Sequence, residues 1–335
     1  MNGERTIRIL KRLIPFLLGL AILAVLYWRI GWSKLVHEMQ SADARLFVVA
    51  LAFFVPQVVV MTWRWQLIGG TARRLGFWEA CGMVLAGSSL NVVLPSKLGD
   101  MCKGLMLGEK AEHGLAGGLG LAALDKLMDI VGLAVVLALA GILAPKPEAW
   151  VLAFWLATCA GVVFVVVLLH AARPIERLPH HKALAALARA LNAAIAVRRR
   201  RAAWAASLGL SVLLWFLHIG QIYVFYRAVA GADPAPAAAI FLRVPTAIFI
   251  GLLPITLAGI GTRDGALIVL IEPQPVAALV GLFCTLRYVV MALLGVPAII
   301  SLGPTLTSAL RSARRRKATK GEAGTEPAGP SHSPQ

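Results

Sequence analysis

Gly87-Ser-Ser-Leu-Asn91-Val-Val-Leu-Pro95-Ser-Lys97-Leu-Gly99-Asp100-Met-Cys-Lys103-Gly-Leu-Met-Leu-Gly108 starts as an apolar helix, stops at a proline, turns, and resumes as a second apolar segment. Proline lacks an N–H and clashes with the preceding turn, so Pro95 ends the first arm. An amide, two lysines and a carboxylate (Asn91, Lys97, Lys103 and Asp100) interrupt an otherwise hydrophobic run. At membrane depth, broken backbone and ionisable groups persist only where protein buries them or a wet cavity receives them. The stretch reads as a helical hairpin with a functional tip, inside a membrane protein.

The surrounding composition agrees. Of the 335 residues, 59% are hydrophobic, and the mean hydropathy of +0.78 is far from that of a soluble domain. Several apolar runs reach the roughly 18–20 residues needed to span a bilayer. The formal charge of +17 does not point to nucleic acid. Lysine and arginine cluster in loops between apolar runs, as in segments kept in the cytoplasm. Cys81, Cys102, Cys159 and Cys284 all lie in apolar segments without metal-ligand or disulfide spacing, and read as buried thiols. The pair His180-His181 has no further ligands, so neither a metal nor another cofactor is expected. There is no Walker A loop, Gly-x-Ser-x-Gly elbow, His-Glu-x-x-His or dinucleotide fingerprint, hence no enzyme signature and no sign of ATP-driven pumping.

Residues 1–12 form a basic cytoplasmic N-terminus, followed by an uncleaved first span from Leu13 to Ile30 with Tyr27, Trp28 and Trp32 at its far end. A short loop leads to span two, about Leu46 to Thr62. It closes on Trp63-Arg64-Trp65, where Arg64 reads as an interface anchor. The hairpin at 80–108 has arms of about 13–15 residues, roughly 20 Å of helix, short for a crossing. Span three, about Leu115 to Leu143, carries Asp125, Lys126 and Asp129 as a relay or ion-pair cluster. These elements make a first membrane repeat, 13–143.

The second repeat, 150–302, holds span four (Trp150 to His170), a basic cytoplasmic segment at 173–201, span five (about Ala203 to Arg227), a hairpin at 237–271 and span six (Val276 to Leu302). Within the basic segment Leu184, Leu187, Leu191 and Ile195 recur at helical spacing, which predicts an interfacial helix on anionic headgroups. Residues 304–335 read as a basic, disordered cytoplasmic tail. Of the 33 lysines and arginines, 22 fall in segments assigned inside and four in or bordering segments assigned outside, which places both termini in the cytoplasm. The expected fold is an all-α polytopic membrane protein with about six full spans plus two re-entrant hairpins. It becomes eight or more spans if the hairpins cross.

Leu94-Pro95-Ser-Lys-Leu98 aligns with Leu253-Pro254-Ile-Thr-Leu257, and each is followed by a charged glycine turn. The turns are Gly99-Asp100-Met-Cys-Lys103 and Gly259-Ile-Gly261-Thr-Arg263-Asp264-Gly265. Three crossings separate the hairpins, so the halves are inverted. Paired interrupted segments in inverted halves are the sequence pointer to a transporter site near the midplane. Pro95, Gly99, Pro254, Gly259 and Gly261 are the architectural residues. Asn91, Lys97, Asp100, Lys103, Arg263, Asp264 and Arg287 form the candidate substrate-contacting set, since helix ends and fixed charges complement a polar cargo. Structural readings stand beside these: an Arg263–Asp264 ion pair that fixes the hairpin, an Asn91 amide serving freed backbone, and an Arg287 helix-to-hairpin contact.

With these residues in view, the chain resembles the lysylphosphatidylglycerol-synthase transmembrane-region family, described as flippase-like membrane proteins. The resemblance rests on Trp63-Arg64, on Asn91-x-x-Leu-Pro95-x-x-x-Gly99-Asp100-x-x-Lys103, and on Leu253-Pro254 through Gly265, with Arg287 and Gly295 also fitting. It covers roughly residues 10–305. Lys103 stands where such proteins usually have arginine, Asp264 replaces glutamate, and Asp125-Lys126 replaces a Glu-Arg pair. All three keep the sign of the charge. No part of these 335 residues matches the soluble aminoacyl-transferase domain of some relatives, so lipid aminoacylation is not expected.

The resemblance implies movement of lipids or lipid-linked intermediates between leaflets of a bacterial inner membrane. Membrane lipids are the expected partners, with lipid-biosynthesis proteins as a second class and no nucleic acid. A rival class is a membrane-embedded enzyme or accessory subunit acting on lipid-linked substrates, with Asp100 and Asp264 as acid/base groups.

Overall fold

A computed structural model describes residues 2–93, 99–108, 114–143, 149–175, 181–231, 237–252, 256 and 259–322. Pro95, Lys97 and Pro254 lie outside the described residues, as do 323–335. Among the described residues the regular structure is helical throughout.

The N-terminal helix α1 (Asn2–Ile30) is followed by α2 (Trp32–Ser41), bent 84° from it. The short loop expected here is therefore itself a helix. Gly31 makes the corner with φ +93, a value that side chains with a Cβ rarely adopt. Helix α2 buries Leu35 and exposes Trp32, Val36 and Met39. Next come α3 (Ala44–Ala52) and α4 (Phe54–Gly69). Asp43 caps α3 by accepting from the Arg45 and Leu46 amides at 2.7 and 3.2 Å, which satisfies N–H groups that the first turn leaves free.

The first hairpin is α5 (Phe77–Val93) and α6 (Gly99–Gly108), followed by the 30-residue α7 (Gly114–Leu143). Then come α8 (Ala149–Ala171), α9 (Lys182–Arg199) and α10 (Arg201–Ala230). The second hairpin is α11 (Ala237–Leu252) and α12 (Thr262–Leu270), followed by α13 (Gln274–Glu322). The stretches Ala44–Gly69, Arg201–Ala230 and Gln274–Pro304 are long and apolar enough to cross a bilayer. Helix α13 runs past Leu302 to Glu322, so 304–322, expected as disordered tail, is helical. Its alanine, leucine, arginine and lysine are all good helix formers.

Each hairpin packs its two arms together, α5 on α6 and α11 on α12. Each also packs on the helix that follows it, α6 on α7 and α12 on α13. The long helices then exchange partners: α13 lies along α5, and α7 along α11, while α4 and α10 meet each other. Lipid tails are as apolar as leucine, so close approach of small residues supplies much of the cohesion. A Cβ on Gly295 of α13 would run into Leu85 and Ser89 of α5, and Ser89 Oγ donates to the Ala292 carbonyl at 2.8 Å. Gly104 and Gly118 bring α6 and α7 into similar backbone contact.

Helix α9 is docked as well as amphipathic. Ala193, Ala194 and Val197 join the apolar cluster around Trp65, Met83 and Met106, and Gly120 of α7 meets the Ala190 backbone. The leucine stripe read as one lipid-facing side divides: Leu184 and Leu187 are exposed, whereas Ile195 is buried.

Candidate functional site: a charged cavity between the hairpins

The sequence of α4 puts Gln57, Met61 and Arg64 at i, i+4 and i+7, hence on one helix face. That face turns inward. Arg64 is 1% exposed, so the reading of an interface anchor is corrected: Trp63 lies outward and Trp65 is buried, and the arginine between them points into the protein. Asp125 and Asp129, one turn apart on α7, receive it. Arg64 Nε lies 2.8 Å from Asp125 Oδ1, and Nη1 lies 2.6 Å from Asp129 Oδ1. Nη1 also donates to Ser211 Oγ at 3.0 Å. Lys103, from α6, pairs with the other Asp125 oxygen and sits 5.0 Å over the Trp65 ring. One carboxylate thus serves two cations.

Lys126 links the first hairpin to α7, 2.8 Å from Asp100 Oδ2 and 3.5 Å from Asp129 Oδ2. Asn91 closes the hairpin across its break. Its Nδ2 donates to Asp100 Oδ1 at 3.0 Å, and its Oδ1 accepts from the Asp100 amide at 3.2 Å. Gly99 permits this approach, since a Cβ there would meet the backbone of Gly87 and Leu90.

The second hairpin solves the same problem differently. Gly261, at φ +90, starts α12, and its amide donates to Asp264 Oδ2 at 2.9 Å. The other Asp264 oxygen takes Arg263 Nη2 at 2.7 Å. Arg263 Nη2 also donates to Thr285 Oγ1 at 3.2 Å. Asp264 therefore orients Arg263 and caps its own helix. Arg287, on α13, is 6% exposed and donates through Nη1 to Gln221 Oε1 at 3.0 Å and Gln57 Oε1 at 3.4 Å.

These groups surround a cavity of about 130 Å³. Of the residues expected at the site, Asn91, Asp100, Lys103, Arg263 and Arg287 line it, with Lys126 and Asp129. Asp125 and Asp264 are counter-ions outside that lining, and Lys97 lies outside the described residues. Gly99 begins α6, and Gly259 and Gly261 precede α12. Residues that the sequence reading missed include Arg64, Trp215, His218 and Tyr288, which line the cavity, and Gln57 and Gln221, which support it. Helical spacing on α4 was the available signal for Gln57 and Arg64. The cavity draws on both apolar clusters, with Met61 packed against one and Ile222 and Ile248 belonging to or packed on the other.

Among the described residues, no group of three or more His, Cys, Asp or Glu side chains converges as a metal site. Chemically, the cavity offers positive charge and hydrogen-bond donors in a partly apolar wall, which suits an anionic or polar headgroup.

A family model described as "Lysylphosphatidylglycerol synthase TM region" matches residues 13–301. A UPF0104 membrane protein of Pyrococcus horikoshii is 22% identical over 164 residues, which are 48% of this chain and 49% of that protein. The chain spans about half the length of the curated relative it matches.

Proposed function

The chain belongs to the lysylphosphatidylglycerol synthase transmembrane-region family, integral membrane proteins related to lipid metabolism, and from that premise we propose that it is a flippase-like transporter. Its cargo is an anionic or polar-headed lipid or lipid-linked intermediate, carried across the bacterial inner membrane. The observation that carries this reading is a single cavity that takes charged residues from both hairpins, Asp100 and Lys103 from one and Arg263 from the other. The headgroup occupies the cavity while the tails remain in lipid.

The topology of the proposal has two inverted halves, six spans and two re-entrant hairpins, with both termini cytoplasmic. Two features support it. The hairpin helices have 17, 10, 16 and 9 residues, so at 1.5 Å per residue none exceeds about 26 Å, short of the roughly 30 Å hydrocarbon core. The exchange of long helices, α13 onto α5 and α7 onto α11, is the reciprocal packing that inverted halves produce.

The function is transport without chemistry on the lipid. Each oxygen of Asp100 and Asp264 accepts from a protein donor, which supports a role for both carboxylates in holding the helix ends and their cations in place. The test is transbilayer movement of a labelled lipid in vesicles reconstituted with the purified chain. Wild-type protein accelerates movement above empty vesicles, and Arg263→Ala and Asp100→Asn at equal reconstituted amounts do not. No acceleration by wild type across anionic and zwitterionic lipids would sink the reading.

A further inference from the structure

Two glutamines outside every charge pattern, Gln57 on α4 and Gln221 on α10, turn their amide oxygens to one guanidinium. Gln57 Nε2 is committed to Gln221 Oε1 at 3.0 Å and to the Leu217 carbonyl at 3.3 Å. Gln221 Nε2 is committed to the Ala50 carbonyl at 2.7 Å. With both nitrogens engaged, both oxygens face Arg287. The cradle holds this arginine through neutral acceptors and leaves its charge in place.

The rest of the cluster is built the opposite way. Arg64, Lys103 and Lys126 meet Asp100, Asp125 and Asp129, and Arg263 meets Asp264. Among the described residues, Arg287 is the lysine or arginine of the cavity wall with no carboxylate partner. Its buried Nε has no hydrogen-bond partner there either. Arg263 shares the Tyr288 ring with it, the two guanidinium carbons lying 5.6 and 4.9 Å from the ring centroid. A buried cation without a counter-ion among the described residues is costly, and a cradle that preserves one suits an incoming anion. Among the described residues the excess is a single charge, and a guanidinium matches a phosphate with two parallel N–H···O bonds.

Resting on the transporter reading, we propose that Arg287 on its Gln57–Gln221 cradle is the seat for a singly charged phosphate group of the cargo. The glutamines accept from the arginine without neutralising it, so its charge stays available.

The test titrates the purified full chain in detergent with dioctanoyl phosphatidylglycerol, with uncharged dioctanoylglycerol and with inorganic phosphate, at two salt concentrations. Wild type binds the phosphatidylglycerol more tightly than the glycerol, and salt weakens only the former. Gln221→Glu and Gln57→Glu each neutralise Arg287 from within. Each weakens phosphatidylglycerol about tenfold or more and flattens its salt dependence, while dioctanoylglycerol is unchanged. The two variants forfeit different main-chain partners, Ala50 and Leu217, so a loss common to both follows the added charge. Gln221→Met and Gln57→Met lose the amide donors, and the oxygen facing Arg287 as well, without adding charge, and stay within about threefold of wild type.

Unchanged phosphatidylglycerol binding in both glutamate variants, or equal losses in the methionine variants, overturns the proposal. Inorganic phosphate binding as tightly as the lipid overturns the assignment to a headgroup. Wild-type binding without transbilayer movement defeats the transporter reading alone, and full movement by the glutamate variants defeats this inference alone.

Discussion

Asp125 is the residue on which the first half of the site turns, because it neutralises Arg64 with one oxygen and Lys103 with the other. Removing one partner of a buried pair leaves a charge stranded, typically at a cost of about 3–5 kcal/mol. Asp125→Asn should therefore lower the thermal unfolding midpoint in detergent sharply, and an unchanged midpoint would show that the network does not hold the fold. Asn91 is a milder case. Asn91→Ala removes two hydrogen bonds to Asp100, one of them to a carboxylate, and should cost about 1–3 kcal/mol in the same measurement. At this scale the sequence was only partly readable. The charged hairpin residues stood out against apolar surroundings. Arg64 did not, since an arginine between tryptophans has the same local pattern at an interface as in a core, and its partners lie on a helix that comes sixty residues later.

Among elements, the contact of α13 with α5 depends on Gly295. Any larger side chain there must displace Leu85 and Ser89, and overpacking of this kind usually costs about 1–3 kcal/mol. Gly295→Leu should lower the unfolding midpoint and also prevent cross-linking of a cysteine pair placed across the α5–α13 seam. A wild-type cross-linking yield would mean that the helices do not need this approach. Helix α9 has an exposed side and a side packed on the protein. Leu187→Glu adds charge to an exposed position and should leave the midpoint nearly unchanged. Ile195→Glu buries that charge against the protein and should cost several kcal/mol, on the order of 2–5. Equal tolerance of both substitutions would rule out docking on α7. Periodicity revealed the helix and its leucines, but a stripe of apolar residues does not say whether lipid or a neighbouring helix covers each one.

For the molecule as a whole, the lysine and arginine asymmetry predicts sidedness. In a chain whose own cysteines are replaced by alanine, Lys34→Cys should react with a membrane-impermeant maleimide in intact cells. Arg199→Cys should react only after the inner membrane is opened. The reverse pattern would invert the topology, and labelling of both sites in intact cells would contradict the assignment of span number between them.

Run lengths of apolar residues, helix-breaking prolines and the distribution of basic residues are local or additive quantities, so the chain order alone specified the all-helical membrane class, most of the long helices and the family. The neutralisation pattern is not additive. It depends on distances between side chains up to 230 positions apart, such as Gln57 and Arg287, and no spacing rule reaches that far. Packing gives Asp125 to Arg64 and Lys103, hides Asp264 behind Arg263, and leaves Arg287 on two amides with its charge intact.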